Sequence, residues 1–504
     1  MQDSKSIKGA LASANTAASF VAPSHDALPE LTVTAAAALL RSKTLTSRQL
    51  VEACLRQIDT HAHLNAFISF DAESALAKAD AYDRRIAAGE ADLPLGGVPI
   101  AIKDNIQVKG FATTAGTPAL KDFHPARTAA IVDRLEAAGA IIIGKTNMHE
   151  LAYGVSGYNT ACHVPGVVGV RNAYHPDYIA GGSSSGSASA VGARLVPAAL
   201  GTDTGGSMRL PCAHNGCVGF RPSVGRYSTD GVVPISTTRD TPGPMARSVE
   251  DVILLDQIIT GLAPAAVPAL QDIRLGVVKE FWEELSPEVA SQAKAALSRL
   301  ERAGVVMVSV SLPDIRALNA KISMPIVLYE AFDALEEYLE RSDAGITLCA
   351  LVAEISSPDV KQIFDHFIMP RKFPVADGGL EDLAEAYRWA IETGRPTMIN
   401  DYRALMEKHN LHALIFPTIP DLAVPSSPEA SSLTAFARMT RNTDPGSNAG
   451  LPGISLPIGL AGSPLLPVGL EIDGLPNSDD RLLAIALALQ NVFGREAPPD
   501  CVLG

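Results

Sequence analysis

The alternation of helix-period segments with short, uninterrupted apolar runs constrains this chain more than any other feature. Between residues 128 and 138 apolar side chains recur at helical spacing, and 140–143 follows as a continuous apolar run. The same order returns as helix 247–260, strand 273–278, helix 287–303 and strand 305–311. A strand apolar on every side is buried on both faces, so it needs helices around it. The pattern predicts an α/β fold with a buried, at least partly parallel sheet.

Other segments fit that scheme. Thr46 or Ser47 can cap a helix carrying Leu50, Val51, Cys54, Leu55 and Ile58. A strand at 66–70, a helix at 72–88 and a strand at 97–103 follow, the last ending in Lys103. Strands at 413–416, 453–457 and 467–472 precede a C-terminal helix at 480–492. Residues 312–400 read as a helical elaboration, and the Ala-, Ser- and Pro-rich residues 1–30 as an N-terminal arm without the apolar stretch of a signal peptide. With no fixed-period repeat and no polar linker, residues 31–504 are expected to form a single domain.

Charge and length remove several functions. The 504 residues carry a net charge of −14 and contain no Lys/Arg cluster, which disfavours nucleic acid and anionic lipid as partners. No apolar run approaches the roughly 18 residues of a membrane span. Six irregularly spaced cysteines, Cys54, Cys162, Cys212, Cys217, Cys349 and Cys501, read as reduced and mostly buried thiols in a cytoplasmic protein. Composition leaves homodimerisation open.

Chemistry concentrates in Ala180-Gly-Gly-Ser-Ser-Ser-Gly-Ser-Ala-Ser-Ala190 and Leu200-Gly-Thr-Asp-Thr-Gly-Gly-Ser-Met-Arg-Leu210. Paired glycines let successive backbone N–H groups converge on one point, and a hydroxyl beside such a nest offers both halves of acyl transfer. Ser207 is thus a candidate nucleophile, with neighbouring amides as oxyanion donors. None of the eleven histidines sits in a setting that marks it as its base. A lysine can serve if burial leaves its amine neutral. Lys103, at the end of an apolar strand, fits, and Ser183 can relay the proton between Lys103 and Ser207.

These segments, with Gly219-Phe-Arg-Pro-Ser223, Pro99-Ile-Ala-Ile-Lys-Asp-Asn105 and Gly144-Lys-Thr-Asn-Met-His-Glu150, resemble the amidase signature family over residues 32–493. The resemblance implies a large mixed central sheet with helices on both faces, and a cofactor-free, metal-free hydrolysis of amides. It assigns Lys103 as base, Ser183 as the bridging serine after a cis Gly182–Ser183 bond, and Ser207 as nucleophile. The backbone of Thr204, Gly205, Gly206 and Ser207 is the implied oxyanion hole. Ser185 departs from the family, which often has glycine there. The stretches 441–457, 467–473 and 219–227 resemble the arylacetamide branch of the family. They imply a small-molecule aromatic amide as substrate, mandelamide-like or indoleacetamide-like. Ala152 and Tyr153, within 151–158, and parts of 312–400 are expected to line an apolar substrate pocket.

Several competing readings attach to the same residues. Gly182-Ser-Ser184-Ser-Gly186 also matches a nucleophile elbow, which would make Ser184 the nucleophile with His366, His409 or His412 as base. Cys212, His214 and Cys217 suggest half of a metal site, but packing beneath the catalytic loop is the expectation. Asp203 and Arg209 are expected to brace the loop as an ion pair. His61 and His63 are expected to be solvated at a helix end, and Lys145 lacks the preceding glycine loop of a nucleotide site. The rivals to a free-standing amidase are the amidase subunit of a tRNA-dependent amidotransferase and a non-catalytic binding protein on the same fold.

Overall fold

The uninterrupted apolar runs do become strands, and they join one sheet. The computed structural model describes residues 25–499 apart from 91–92, 163 and 375–379. The strands are β1 (Phe67–Phe70), β2 (Pro99–Lys103), β3 (Ile141–Thr146), β4 (Ala198–Asp203), β5 (Val218–Arg221), β6 (Thr241–Ala246), β7 (Arg274–Val278) and β8 (Val306–Val310). A small separate ribbon pairs β9 (Lys372–Pro374) with β10 (Leu380–Asp382), and β11 (Ala413–Pro417), β12 (Gly453–Ala461) and β13 (Leu466–Asp473) complete the main sheet. Its order is β1-β3-β2-β4-β6-β5-β12-β13-β11-β7-β8. It is mixed: β3, β2 and β4 run parallel, as do β11, β7 and β8, with antiparallel pairs between the two groups.

Alternate residues along each strand feed opposite cores. Ile100, Ile102, Ala198 and Leu200 join the core built with the helices Val249–Thr260, Pro287–Arg302 and Asp479–Phe493. Ala101, Ala199, Ile141 and Ile143 face a second core with Ala188, Val191, Met208 and Cys212. The sheet is therefore covered by helices on both faces.

The second core shows why the Ser/Gly-rich segment is what it is. It reads as loop in sequence, yet Ser185–Gly192 is an α-helix with every residue buried. Two of its three serines bond inward: Ser187 Oγ donates to the Leu200 carbonyl at 2.9 Å and Ser189 Oγ to that of Arg171 at 2.8 Å. A Cβ on Gly186 would collide with the backbone of Ala66 and Asn147. Small residues are the condition for this close approach, and they erase the apolar periodicity that normally betrays a helix.

Two further expectations change. His25–Glu30 of the expected arm is a 3-10 turn whose Leu28 enters the core, while residues 1–24 lie outside the described residues. His61 closes the helix Ser47–Thr60 but is only 5% exposed, its ring Nδ1 bonded to the Gln57 carbonyl at 3.0 Å. Only His63 is solvated there. That helix starts as expected, with Thr46 and Gln49 forming a capping box. The 312–400 elaboration is built around the 27-residue helix Ile315–Arg341 with the short helices Leu348–Ala353 and Pro358–Ile363. Their apolar faces pack against Leu151, Ala152, Tyr153 and Ile235, roofing one edge of the sheet.

Candidate active site

Because β2 and β4 are parallel neighbours, their C-terminal ends emerge at the same edge of the sheet, where α/β proteins commonly bind ligands. Lys103 ends β2, and Thr202 and Asp203 end β4. Lys103 is fully buried. Its Nζ lies 2.8 Å from Ser183 Oγ and 2.7 Å from Thr202 Oγ1, which also accepts from Asn105 Nδ2 at 3.1 Å. Burial lowers the amine from its ordinary 10.5 to about 7, against the raising influence of Asp203 and Asp240. Nζ donates to both hydroxyl oxygens, and a value of about 7 leaves part of the population uncharged near neutral pH.

The bond Gly182–Ser183 is cis. The next residue ties the two Gly-Gly-Ser segments together: Ser184 N donates to the Ser207 carbonyl at 3.0 Å. Ser184 Oγ is itself enclosed, donating to the Thr202 carbonyl at 3.0 Å and accepting from the Thr202 amide at 3.2 Å. A hydroxyl held this way is structural, which disposes of the elbow reading. Ser207 is 6% exposed and opens onto a cavity. Among the described residues no hydrogen bond joins its Oγ to Ser183.

Asp203 shapes the loop that carries Ser207. One carboxylate oxygen accepts from Gly206 N at 2.8 Å, and the other from Met208 N at 3.2 Å. Arg209 bonds both oxygens, through Nε at 3.0 Å and Nη2 at 3.1 Å, and Arg221 Nη1 adds a bond at 3.0 Å. Burial alone would raise this carboxyl, but the two guanidiniums and these bonds hold it well below the ordinary range. The expected bracing pair is thus part of a larger buried network, which Arg209 extends to Glu471. Gly206 takes φ +130°, and a Cβ there would strike Thr443. Since its amide is engaged by Asp203, Gly206 differs from the uniform donor role expected of residues 204–207. The amides of Gly205 and Ser207 make no hydrogen bond among the described residues.

The cavity over Ser207 is lined by apolar Ala152, Tyr153, Val155, Ile235, Met324, Val327, Leu328, Ile363 and Phe436. Both expected residues of the 151–158 stretch are present, and the helical elaboration supplies four more. Polar groups gather at the nucleophile's end: Thr204, Arg239, Ser323, Thr440 and Asp444. A roomier but polar cavity of about 440 Å³ lies apart from Ser207, beside Arg127, Asp230 and Arg341.

With this geometry in view, the family profile described as Amidase matches residues 49–483. The chain belongs to the amidase signature family. Among curated relatives of this amidase, mandelamide hydrolase of Pseudomonas putida is 57% identical over 480 residues, 95% of this chain and 94% of that protein. Indoleacetamide hydrolase of Agrobacterium vitis is 39% identical, covering 92% of this chain and 97% of its own. Among solved structures, native peptide amidase from Stenotrophomonas maltophilia superposes with a TM-score of 0.75 at 31% identity, covering 93% of the amidase and 98% of that chain.

Other marked residues of the amidase resolve into packing. Among the described residues no group of three or more His, Cys, Asp or Glu side chains is placed to hold a metal. Cys212, His214 and Cys217 are buried, and burial pushes His214 down to about 4. Lys145 is a buried partner of Asp104 at 3.1 Å. Five cysteines are free, three of them buried, and Cys501 lies outside the described residues. No described helix is long and apolar enough to cross a membrane. Residue-by-residue reading missed Thr202, Asn105, Asp240, Arg239 and Asp444. Asn105 stands two residues after Lys103 in the same motif, so spacing could have found it, whereas Thr202 lies 99 residues away in another motif. Arg239 and Asp444 are separated by 205 residues and meet only in the fold.

Proposed function

We propose that this amidase hydrolyses primary amides of arylacetic acids to the acid and ammonia through a Ser207 acyl-enzyme. The observation that carries the reading is the buried Lys103 amine, lowered to about 7 and 2.8 Å from Ser183 Oγ. Neutral Lys103 takes the Ser183 proton while Ser183 takes that of Ser207, freeing Ser207 Oγ to attack the amide carbonyl. The amides of Gly205 and Ser207 receive the oxyanion. Ser183 returns a proton to the departing nitrogen, ammonia leaves, and water resolves the ester by the same route. Substrate preference follows from the apolar cavity and from the names of the relatives that cover nearly the whole chain. Ammonia release from mandelamide, phenylacetamide, indoleacetamide and glutamine tests it. Turnover of arylacetamides without glutamine supports the reading, and glutaminase activity alone overturns it.

A further inference from the structure

The cavity over Ser207 is apolar except at one end, where a charged pair has been drawn inside. Arg239 is 1% exposed and pairs with Asp444. The Arg239 Nε donates to the Thr204 carbonyl at 3.1 Å and its Nη1 to Ser323 Oγ at 3.0 Å. Asp444 Oδ2 accepts from Asn319 Nδ2 at 2.9 Å and from Asn448 Nδ2 at 3.5 Å. Removing two charges from water is costly, and bracing one loop carbonyl needs only the guanidinium.

Placement gives the pair a second use. A Cβ built on Gly205 would stand 3.0 Å from Asp444 Oδ1 and 3.2 Å from Arg239 Nη2. The pair therefore lies against the backbone of Gly205, whose amide is one of the two given the oxyanion in the proposed mechanism. Arg239 and Asp444 line the cavity onto which Ser207 opens, so they border the space that a substituent beside the reacting carbonyl enters. The Asp444 side chain retains 11% exposure and lines the cavity, leaving it able to accept a further hydrogen bond.

The geometry points to Asp444, held by Arg239, as the specificity-determining residue for a hydroxyl at that position: the preferred substrates are 2-hydroxy-arylacetamides, whose O–H donates to the carboxylate. This deepens the arylacetamide reading and rests on it. A hydrogen bond to a buried charged acceptor discriminates by about 10- to 100-fold.

The test compares kcat/KM for mandelamide, phenylacetamide and 2-fluoro-2-phenylacetamide, whose fluorine is small and electron-withdrawing but cannot donate. Wild-type enzyme is expected to favour mandelamide over both by about 10-fold or more. Asp444→Asn is expected to lower kcat/KM for both amides, but for mandelamide by about 10-fold more, so that the mandelamide-to-phenylacetamide ratio falls towards unity. A circular dichroism spectrum unchanged from wild type reports that the variant is folded, and a loss of bracing alone would lower both amides equally and leave the ratio unchanged. An unchanged ratio in a folded Asp444→Asn overturns the assignment, as does equal wild-type use of the hydroxy and fluoro amides. Should Asp444→Asn not fold, the wild-type hydroxy-to-fluoro comparison decides. Failure of wild type on every arylacetamide overturns the substrate reading and this assignment with it, whereas arylacetamide turnover without discrimination overturns the assignment alone.

Discussion

At the scale of single residues, a lysine and two serines carry the proposed chemistry, and their surroundings explain how. Among the described residues Lys103 has no carboxylate at hydrogen-bond distance: its Nζ partners are hydroxyls, and Asp203 and Asp240 act on it through space. Replacing Ser207 or Lys103 by alanine is expected to lower kcat/KM for an arylacetamide by about 10³-fold or more, as when any member of an interdependent set is lost. Folding should survive, measured by an unchanged circular dichroism spectrum. Ser183 and Ser207 stand out in the sequence because their segments are dense in glycine and serine, and Lys103 because it ends an apolar strand. The pairing of Arg239 with Asp444 was not, since nothing near either residue signals a partner 205 positions away. Nor was the burial of His61, because the same helix end looks equally solvated until the fold covers it.

At the scale of elements, the site depends on a helix that packs like a small-residue plug and on a loop fastened to three strands. Gly186→Val forces a branched side chain into the Ala66 and Asn147 backbone, and overpacking of this kind costs about 1–3 kcal/mol. A lowered melting temperature checks it. Asp203→Ala strands Arg209 and Arg221 in the interior, a loss of about 3–5 kcal/mol, readable as a lower urea midpoint. The far end of that network has its own pH signature. Burial raises the Asp473 carboxyl from 3.8 to about 6, and its neighbour Glu471 is also raised by burial. A raised acid stabilises the fold below its unfolded value, and that contribution is lost as pH rises through about 6. Asp473→Asn should therefore gain melting temperature over wild type between about pH 4 and 6, with a level gain above. These elements were the hardest to foresee: β4, β5, β6 and Ser185–Gly192 are too rich in Gly, Ser, Thr and Pro to show either period, whereas apolar β3, β7 and β8 were plain.

At the scale of the whole molecule, the sheet edge and the loops beside it supply the groups of the proposed chemistry, and the 315–363 helices supply the roof. Met324, Val327, Leu328 and Ile363 close the cavity from within the 312–400 segment, which the sequence marks as a helical elaboration and a source of pocket lining. This division predicts that Val327→Trp raises KM for arylacetamides by about 10-fold or more, while a small fluorophosphonate still labels Ser207 at the wild-type rate. All of it presumes an uncharged base in the interior. The pH dependence of kcat/KM for an arylacetamide between pH 5 and 10 tests that most directly. Protonation disables the base, so activity should rise with pH, with a midpoint near the value of about 7 set by the burial of Lys103, and then level off. A rise centred on the ordinary lysine value of 10.5, or a flat profile, would contradict the account.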